Sequence, residues 1–461
     1  MFREPRWKRS ENYVTQENVA AVDEKWEEWK RKEVVEEGEV ALIMALGTTP
    51  KPGGKVRVIH NCVPINACVP DMPYSMDGIA EVAKFLRLGD WICKIDLKDG
   101  YEHVPIHKDW RKYFGVSWKG EVRRFAKLGF GFKLSPVLFQ ALMDAVKDES
   151  NRRSGYNAVF VYLDDFLVRG DSEGQCLEAL GGLRGLLAEM GLEVNVGKSV
   201  FVPCQELEYL GKVWNVEEGK VYNSRKKIEE IERFCRDLLR KNSKTPIKEL
   251  EIFLGKLEWI ARTLQMSRCW KRSLLMELRS WRSLDRERTE GLGVRGSGYS
   301  GWLSAASRRE LKWWRDNAGK WMPLNIEDVW KVRIKDFHTD ASGFGYGSSN
   351  GLWGLWKAEE MDWIIAVKEM EAVRRAIGRL EPGEKVRIGV DNTAVYWSLK
   401  RGRSFSWDLN NLVRRIGGDV NKRKLQVDFY WVPTEENRAD EASRSRTRPT
   451  HVAADTFLDL R

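Results

Sequence analysis

The sequence lacks the cysteine patterns that crosslink small domains or hold structural metals. Its seven cysteines are an odd number, none of them belongs to a CxxC pair, and the two closest are Cys62 and Cys68. No Cys/His cluster has the spacing of zinc ligands. These absences exclude a disulfide framework and a zinc finger, and they predict reduced thiols, as in intracellular proteins.

Long apolar runs are also missing. The longest, Val40–Leu46, is far shorter than the roughly 20 residues that a membrane span requires. The first residues mix basic and acidic side chains without an apolar stretch, so no secretory signal is predicted. We therefore predict an intracellular protein of the cytoplasm, the nucleus or both, with no membrane partner.

Charge of both signs is abundant, with a modest basic excess. Of 461 residues, 78 are Lys or Arg and 68 are Asp or Glu, which gives a formal net charge of +10. The hydrophobic fraction of 42% can form sizeable cores, so a largely disordered chain is not expected. A basic excess on a highly charged surface fits a polyanionic partner such as nucleic acid.

Residue patterning divides the chain into six segments. Short β-rich runs alternate with helical stretches in two of them, whereas a third has a helical period and carries much of the positive charge. The glycine-rich run Gly291–Gly301 is the clearest linker. The predicted segments are an N-terminal helical extension (1–45), an α/β-rich region (46–215), a basic helical region (216–290), a linker and connecting segment (291–332), a second α/β-like region (333–446) and a tail (447–461).

Two adjacent acids interrupt a hydrophobic stretch at Tyr162-Leu163-Asp164-Asp165. Apolar residues flank this motif on both sides, which predicts a strand, a tight turn and a second strand. Buried acids are costly unless a cation compensates them. Taken alone, however, the motif could equally be the polar tip of a hairpin.

A third acid, Asp96, ends the apolar run Trp91–Ile95. Only folding can bring it to Asp164, which lies 68 residues further on. Three convergent carboxylates suit two hard divalent ions, Mg²⁺ or Mn²⁺. We therefore predict that Asp96, Asp164 and Asp165 are catalytic metal ligands, with Asp165 as a weaker or indirect one.

These residues resemble the palm of a reverse transcriptase, in which YxDD is the best-known signature. The segment Gly131–Gln140 (GFKLSPVLFQ) resembles the family segment between the first Asp and that hairpin, and Tyr209–Gly211 resembles its primer grip. The resemblance implies a right-hand polymerase, with fingers and palm at 46–215 and a thumb at 216–290 whose basic helices hold a duplex by its phosphates.

The resemblance also implies contacts with the incoming nucleotide. Tyr101 lies where the family has an aromatic steric gate against a ribose 2′-OH, although a plain core aromatic is the alternative. Phe130 is expected near the sugar. Lys55 and Arg57 lie where family members hold the triphosphate, but Val63 stands where retroviral relatives have Arg.

Lys198 completes the predicted polymerase site. It lies in the segment Asn195-Val196-Gly197-Lys198 and matches the family lysine that could protonate pyrophosphate. On sequence alone, a solvated surface lysine is an equal alternative.

A second set of acids follows in the last third of the chain. Asp340 comes after an alternating run, Asp391 ends the apolar strand pattern of residues 386–390, Glu369 or Glu371 opens a helical run, and Asp440 comes near the end. Four acids at strand ends and helix starts suit a second site with two metal ions. The choice between Glu369 and Glu371 stays open at this point.

The order D, E, D, D, within DAS, ExxA, DN and NxxAD, resembles a ribonuclease H domain and implies one at 333–446. The ExxA register of this resemblance favours Glu369 over Glu371, without deciding between them. The histidine loop that usually precedes the last acid is absent, since Pro433–Glu436 is short. The ending Asn437–Arg444 (NxxADxxSR) is like that of gypsy-type and DIRS-type (tyrosine-recombinase) retrotransposon enzymes. Leu254–Trp259 and Leu311–Trp314 look most like the DIRS type.

Together the resemblances imply an α+β fold class, a right-hand polymerase plus an α/β ribonuclease H-like domain. The predicted function is an RNA-directed DNA polymerase with a ribonuclease H that degrades RNA in RNA–DNA hybrids during retrotransposon replication. The expected cofactor is Mg²⁺, two ions per site, with Mn²⁺ as the alternative. The expected partners are an RNA template, a DNA primer, their hybrid and dNTPs, and a homodimer or other retroelement proteins stay open.

Two alternatives remain from the sequence. One is a domesticated, non-catalytic nucleic-acid-binding protein derived from a retroelement, against which the seven intact acids count. The other is a purely DNA-templated polymerase or a maturase-type splicing cofactor, against which the ribonuclease H acids count.

Overall fold

The structure, a computed structural model, describes residues 9–50, 56–72, 74, 76, 78–292, 298–327, 334–447 and 457–458. The chain divides into two compact units, Met1–Leu210 and Gly211–Arg461. Among the described residues, no helix is both long enough and apolar enough to cross a membrane.

The first unit mixes helices with short strands. Its helices are α1 (Val19–Arg31), α2 (Val63–Asn66), α3 (Ile79–Phe85), α4 (Ser135–Ser154) and α5 (Glu173–Glu189). Its strands are β1 (Val35–Glu36), β2 (Ile43–Met44), β3 (Leu46–Pro50), β4 (Val56–His60), β5 (Trp91–Asp96), β6 (Gly115–Trp118), β7 (Glu121–Phe125), β8 (Val159–Tyr162), β9 (Asp165–Gly170), β10 (Val200–Cys204) and β11 (Glu206–Tyr209).

The central sheet of this unit has the strand order β10-β5-β9-β8, and all its neighbours are antiparallel. Helices α4 and α5 bury their apolar residues on it, in a core that includes Ile95, Phe139, Phe166 and Leu183. The predicted hairpin around Asp164 is confirmed, because β-branched and aromatic residues on both sides of the turn form β8 and β9. A second sheet has the order β1-β7-β6-β2, and β3 pairs with β4 in a separate ribbon.

The second unit begins with strands and helices. Its helices are α6 (Arg225–Arg240), α7 (Ile247–Ala261), α8 (Arg272–Leu292), α9 (Ala305–Asn317), α10 (Ile365–Ile377), α11 (Thr393–Arg401), α12 (Trp407–Arg423) and α13 (Asp440–Arg444). Its strands are β12 (Lys212–Asn215), β13 (Lys220–Asn223), β14 (Thr245–Pro246), β15 (Ser300–Gly301), β16 (Leu324–Asn325), β17 (Ile334–Ala341), β18 (Gly345–Ser348), β19 (Trp353–Leu355), β20 (Lys385–Val390), β21 (Gln426–Trp431) and β22 (Phe457–Leu458).

Helices α6 to α9 share one apolar core, in which Phe253, Leu257, Leu311 and Trp314 are buried. Regular elements border the predicted linker Gly291–Gly301 on both sides. Helix α8 continues to Leu292, and Ser300–Gly301 pair as β15 with β14. Between these two elements, residues 293–297 lie outside the described residues.

The rest of the second unit is built on a mixed sheet with the order β19-β18-β17-β20-β21. Strands β17, β20 and β21 are parallel neighbours, whereas β18 and β19 are antiparallel. Parallel neighbours require crossover connections, and α10 and α12 lie on such connections. These helices pack on the sheet through a core that includes Val373, Ile388, Val413 and Phe429.

Two candidate carboxylate sites

The first candidate site lies at the end of the antiparallel sheet of the first unit. Asp165 begins β9 and stands opposite Asp96 at the end of β5. Leu163 and Asp164 form the turn before it, and the backbone N–H of Leu97 donates to the carbonyl oxygen of Asp164 at 2.8 Å. The fold therefore brings together three acids that the sequence separates by up to 69 residues.

Two buried groups fix the turn that carries Asp164 and Asp165. Leu163 has a φ of 50°, in the left-handed region that non-glycine residues rarely adopt. Its N–H donates at 2.6 Å to the Oε1 of Gln140, whose side chain is buried. The Tyr209 hydroxyl donates to the carbonyl oxygen of Asp165 at 2.8 Å. Sequence reasoning missed these two roles, although both residues lie in motifs that match the family.

The carboxylates of this site are buried close enough to repel one another. Burial, together with the charges of Asp164 and Asp96, raises the pKa of Asp165 to about 6. Burial also raises the pKa of Asp164, and Asp96 adds to that effect. The Lys198 ammonium lies 3.1 and 3.2 Å from the two oxygens of Asp96 and is itself mostly exposed. Asp96 thus has a direct lysine partner, whereas Lys198 and other basic groups act on Asp164 and Asp165 only from a distance and do not offset their burial.

A cavity of about 740 Å³ contains three of the predicted nucleotide contacts, Arg57, Tyr101 and Phe130. The Arg57 guanidinium lies 4.7 Å from the centre of the Phe130 ring, and the Phe130 and Tyr101 rings are 5.1 Å apart. Burial raises the pKa of Tyr101, and the charge of Asp164 raises it further, so this phenol lies within electrostatic range of Asp164. Lys55 lies outside the described residues, and Val63 is exposed on α2.

The second candidate site lies on the mixed sheet of the second unit. Asp340 belongs to β17, Glu369 to α10 and Asp391 follows β20, and one carboxylate oxygen of each lies within 4.8 Å of the others. Asp440 begins α13 and lines the same cavity of about 560 Å³. Asp340 lies inside its strand rather than after it, and Glu369 lies one turn into its helix.

The largest pKa shift among these acids lies in the second site. Burial raises the pKa of Glu369 to about 9, with further contributions from Asp340, Asp391 and Asp440. Burial also raises the pKa of Asp340 to about 6, against a hydrogen bond that it accepts from the Ser443 hydroxyl. These shifts mean that the acids cannot all be ionised near neutral pH without a compensating cation.

The alternative glutamate of α10 lies in a different environment. Glu371 accepts two hydrogen bonds of 2.7 Å from Arg374 and one of 2.9 Å from Arg375. Although burial opposes it, these guanidinium groups hold the pKa of Glu371 below its ordinary value. Glu371 is thus neutralised by protein cations, whereas Glu369 faces Asp340 and Asp391.

Three observations fit the second site to divalent cations. Its oxygens are within 4.8 Å of one another, its donors are hard carboxylates, and the buried Oδ1 of Asp391 accepts no hydrogen bond from the described residues. In the first site the oxygens of Asp96, Asp164 and Asp165 do not meet that 4.8 Å condition, although all three are described. There the fit rests on the donor chemistry and on the raised pKa values of Asp164 and Asp165, which nearby basic groups do not offset.

Another acidic group does not have the environment of a metal site. Oxygens of Glu28, Asp99 and Glu102 lie within 4.8 Å of one another. Lys25 and Lys32 lie between them, with Nζ to carboxylate distances from 2.7 to 3.6 Å. Two protein ammonium groups therefore already supply the cations.

A groove rich in arginine and aromatic residues, which we call the arginine groove, lies in the second unit and encloses about 330 Å³. Its lining includes Arg272, Arg279, Arg401, Trp397 and Phe405, and among the residues that the structure describes no acid lines it. Trp397 and Phe405 are exposed by 47% and 71%. Exposed guanidinium groups beside exposed rings are typical of nucleic-acid surfaces, because cations pair with phosphates and bases stack on rings.

Residues 49–213 match the family model described as "Reverse transcriptase (RNA-dependent DNA polymerase)". An uncharacterized protein of Caenorhabditis elegans is 29% identical over 217 residues, which are 47% of this chain and 16% of that protein. The Gag-Pro-Pol polyprotein of human T-cell leukemia virus 2 is 24% identical over 239 residues, 50% of this chain and 16% of the polyprotein. The putative enzymatic polyprotein of cassava vein mosaic virus is 25% identical over 398 residues, 84% of this chain and 52% of its own length.

Solved structures of foamy viral protease-reverse transcriptase have a similar fold. The dRH form in complex with ds DNA has a TM-score of 0.61 at 18% identity, covering 94% of this chain and 72% of that chain. The complex with an RNA/DNA hybrid has a TM-score of 0.59 at 16% identity, covering 96% of this chain and 57% of that chain.

These comparisons confirm the predicted fold class, a polymerase followed by a ribonuclease H-like domain. The segment 49–213 is similar to the reverse transcriptase family of retroelement and retroviral polymerases. The chain covers only part of the length of each curated relative named above, from 16% to 52%.

Proposed function

We propose that the chain is an RNA-directed DNA polymerase whose nucleotidyl-transfer site is formed by Asp96, Asp164 and Asp165. The observation that carries this proposal is the position of these acids, within a reverse transcriptase domain and next to the cavity of Arg57 and Tyr101. Three carboxylates at one sheet end fit the binding of Mg²⁺ or Mn²⁺, which would supply positive charge to the reacting hydroxyl and phosphate.

The side chains around this site have separate roles in the proposal. The Arg57 guanidinium holds the triphosphate, and Lys55 is proposed to assist it. Tyr101 and Phe130 enclose the sugar, and the Tyr101 ring excludes a 2′-OH by steric collision. Lys198 neutralises Asp96 and is positioned to give a proton to the departing pyrophosphate.

We further propose that Asp340, Glu369, Asp391 and Asp440 form a ribonuclease H site that cleaves RNA in the hybrid product. The mutual pKa shifts of Asp340 and Glu369 support this assignment, since such shifts concentrate at functional sites. Metal ions held there would activate water and stabilise the charged phosphate. Glu369 rather than Glu371 is the proposed ligand, because arginines already neutralise Glu371.

The arginine groove is the proposed contact for the backbone of the RNA–DNA hybrid. Helix α11 begins two residues after Asp391, and its residues Trp397 and Arg401 line the groove. Because α11 begins next to Asp391, a hybrid bound in the arginine groove would lie close to the ribonuclease H acids. One structural neighbour, the foamy viral protein, was solved in complex with an RNA/DNA hybrid, which agrees with this class of partner.

The proposed biological setting is the replication of a retroelement. Removal of RNA from the hybrid frees the new DNA strand as a template. RNA-directed polymerisation and RNA cleavage are therefore successive steps in copying RNA into double-stranded DNA. Among retroelements we propose the DIRS-type or gypsy-type group, on the short NxxADxxSR ending at Asn437–Arg444 and the LGKLEW segment at Leu254–Trp259.

The main alternative is a non-catalytic nucleic-acid-binding protein that derives from such an element. The acids argue against it, because buried like charges destabilise a fold and would be replaced once metal binding had no use. A DNA-templated polymerase is a further alternative, and the second acidic site argues against it.

The test is to assay the purified chain on two substrates with Mg²⁺. Extension of oligo(dT) on poly(rA) reports RNA-directed polymerisation, and release of labelled fragments from an RNA–DNA hybrid reports ribonuclease H. We expect both activities, and we expect EDTA to abolish both. If the protein binds the hybrid with neither extension nor cleavage in Mg²⁺ or Mn²⁺, the non-catalytic alternative is correct.

A further inference from the structure

Helix α1 lines the cavity of about 740 Å³ that contains Arg57, Tyr101 and Phe130, which we call the nucleotide cavity. The helix precedes the segment that matches the polymerase family. Lys25, Glu28 and Trp29 of this helix share the cavity lining with Tyr101 and Phe130. The sequence suggested only a helical extension here. Helix α1 is therefore close enough to influence the position of Tyr101 and Phe130.

Two side chains of α1 bind the residue that follows Tyr101. The Trp29 indole N–H donates to Oε1 of Glu102 at 2.9 Å, and the Lys25 ammonium lies 2.9 Å from the same oxygen. All three side chains are largely buried, and Trp29 is only 4% exposed. Lys32, just after the helix, also lies 3.6 Å from Asp99. Helix α1 and the residue that follows it therefore contact the segment around Tyr101 on both sides of this residue.

That segment is a single tight turn whose shape needs support from its surroundings. Residues Gly100–His103 form a 3₁₀ turn, and Asp99 before it has a φ of 50°, a conformation that non-glycine residues seldom adopt. A Cβ at Gly100 would lie 2.7 Å from the Phe139 ring, so the turn fits closely against α4. The contacts of Glu102 with α1 are a second attachment of the same turn.

We propose that Trp29 and Glu102 are positioning residues that set how strictly Tyr101 rejects ribonucleotides. This inference rests on the proposed polymerase function and on the role of Tyr101 in it. The Tyr101 ring meets Phe130 at 5.1 Å and Phe139 at 5.4 Å, with edge-to-face geometry in both pairs. Steric rejection of one hydroxyl depends on fractions of an ångström, so a turn released from α1 loses discrimination before it loses polymerisation.

The chain offers a matched control on the same helix. Trp26 is 2% exposed, and its indole N–H donates at 2.8 Å to Glu121, which does not line the cavity. Trp29→Phe and Trp26→Phe thus each remove one buried indole N–H bond to a glutamate. Comparable losses of thermal stability are expected for both, which separates general weakening of α1 from an effect on Tyr101.

The experiment measures kcat/KM for dTTP and for UTP on poly(rA)/oligo(dT) with the full chain. We expect Trp29→Phe to lower the dTTP-over-UTP preference by roughly tenfold, mainly through faster use of UTP, and Trp26→Phe to leave it unchanged. Glu102→Ala should lower the preference at least as far as Trp29→Phe. Glu102→Gln should restore part of it, because the amide oxygen can still accept the Trp29 hydrogen bond.

A reference variant, Tyr101→Ala, separates the possible failures. If it removes the preference while Trp29→Phe and Glu102→Ala keep the wild-type ratio, the positioning role is wrong and the polymerase assignment stands. If Tyr101→Ala itself keeps the ratio, the role of Tyr101 fails and this inference with it. If the wild-type chain incorporates no dTTP, the proposed function has failed at an earlier step.

Discussion

Replacement of Glu369 by Gln should make the metal-free protein more stable at pH 8. The carboxylate of Glu369 is buried among Asp340, Asp391 and Asp440, and this environment raises its pKa from 4.5 to about 9. A folded-state pKa above the unfolded value means that the native state binds an extra proton. Stability is therefore greatest below the unfolded pKa and declines as the pH rises towards 9.

The magnitude follows from the size of that shift. At pH 8 Glu369 is still protonated in the folded state. In the unfolded state it ionises at pH 4.5, so the free energy of unfolding falls over the 3.5 pH units from 4.5 to 8. At about 1.4 kcal/mol per unit, the decline reaches about 5 kcal/mol, an upper figure because the acids titrate together. Gln has the same shape without the titration, so Glu369→Gln should remove most of this decline.

The assay is urea unfolding in EDTA at pH 5, 6.5 and 8, with Glu371→Gln as the matched control on the same helix. Glu371 is stabilised by Arg374 and Arg375, so its replacement should lower the free energy of unfolding at pH 8 by about 1–3 kcal/mol. The two variants should thus change stability in opposite directions. If the free energy of unfolding depends on pH in the same way for wild type and for Glu369→Gln, the conclusion that Glu369 is buried without a compensating cation is wrong.

Other predictions concern single sites. Lys198→Ala should lower primer extension by about tenfold or more, with RNA cleavage unchanged, because Asp96 loses the ammonium bound to it; equal losses in both assays would contradict this role. Arg279→Glu and Arg401→Glu should weaken binding of an RNA–DNA hybrid and reduce the slope of log affinity against log salt by about one each. The control is Arg415→Glu, an exposed position of α12 outside the arginine groove, which should bind like wild type in the same titration.

The local parts of the first site could be predicted because the signals are short. A polar pair between two β-rich runs specifies a hairpin within about ten residues, and β8 and β9 have that form. The opposition of Asp96 and Asp165 depends instead on the register of β5 against β9. The metal chemistry and the family resemblance suggested that these acids meet, but no local pattern fixes the pairing of distant strands.

The choice between Glu369 and Glu371 illustrates a different limit. Residues 368–373 of α10 are all buried, so hydrophobic periodicity carries no information about which side of the helix faces a site. The structure distinguishes the two glutamates by their neighbours, arginines for one and acids for the other. Those neighbours include residues more than 20 positions away in the sequence.

The contact between Trp29 and Glu102 had no signal in the sequence at all. The two residues are 73 positions apart, and each alone is an ordinary part of a charged, amphipathic segment. Two tryptophans three residues apart, Trp26 and Trp29, predict a buried helix face, and both are buried in α1. It does not predict which partner accepts the indole hydrogen bond.

The central claim is that two separate acidic sites carry two separate reactions. The most direct measurement assays primer extension and RNA cleavage side by side for Asp164→Asn and for Asp340→Asn, with Mg²⁺ present. Asp164→Asn should abolish extension and leave cleavage intact, and Asp340→Asn should do the reverse. Two variants that both retain both activities would contradict the assignment of these acids.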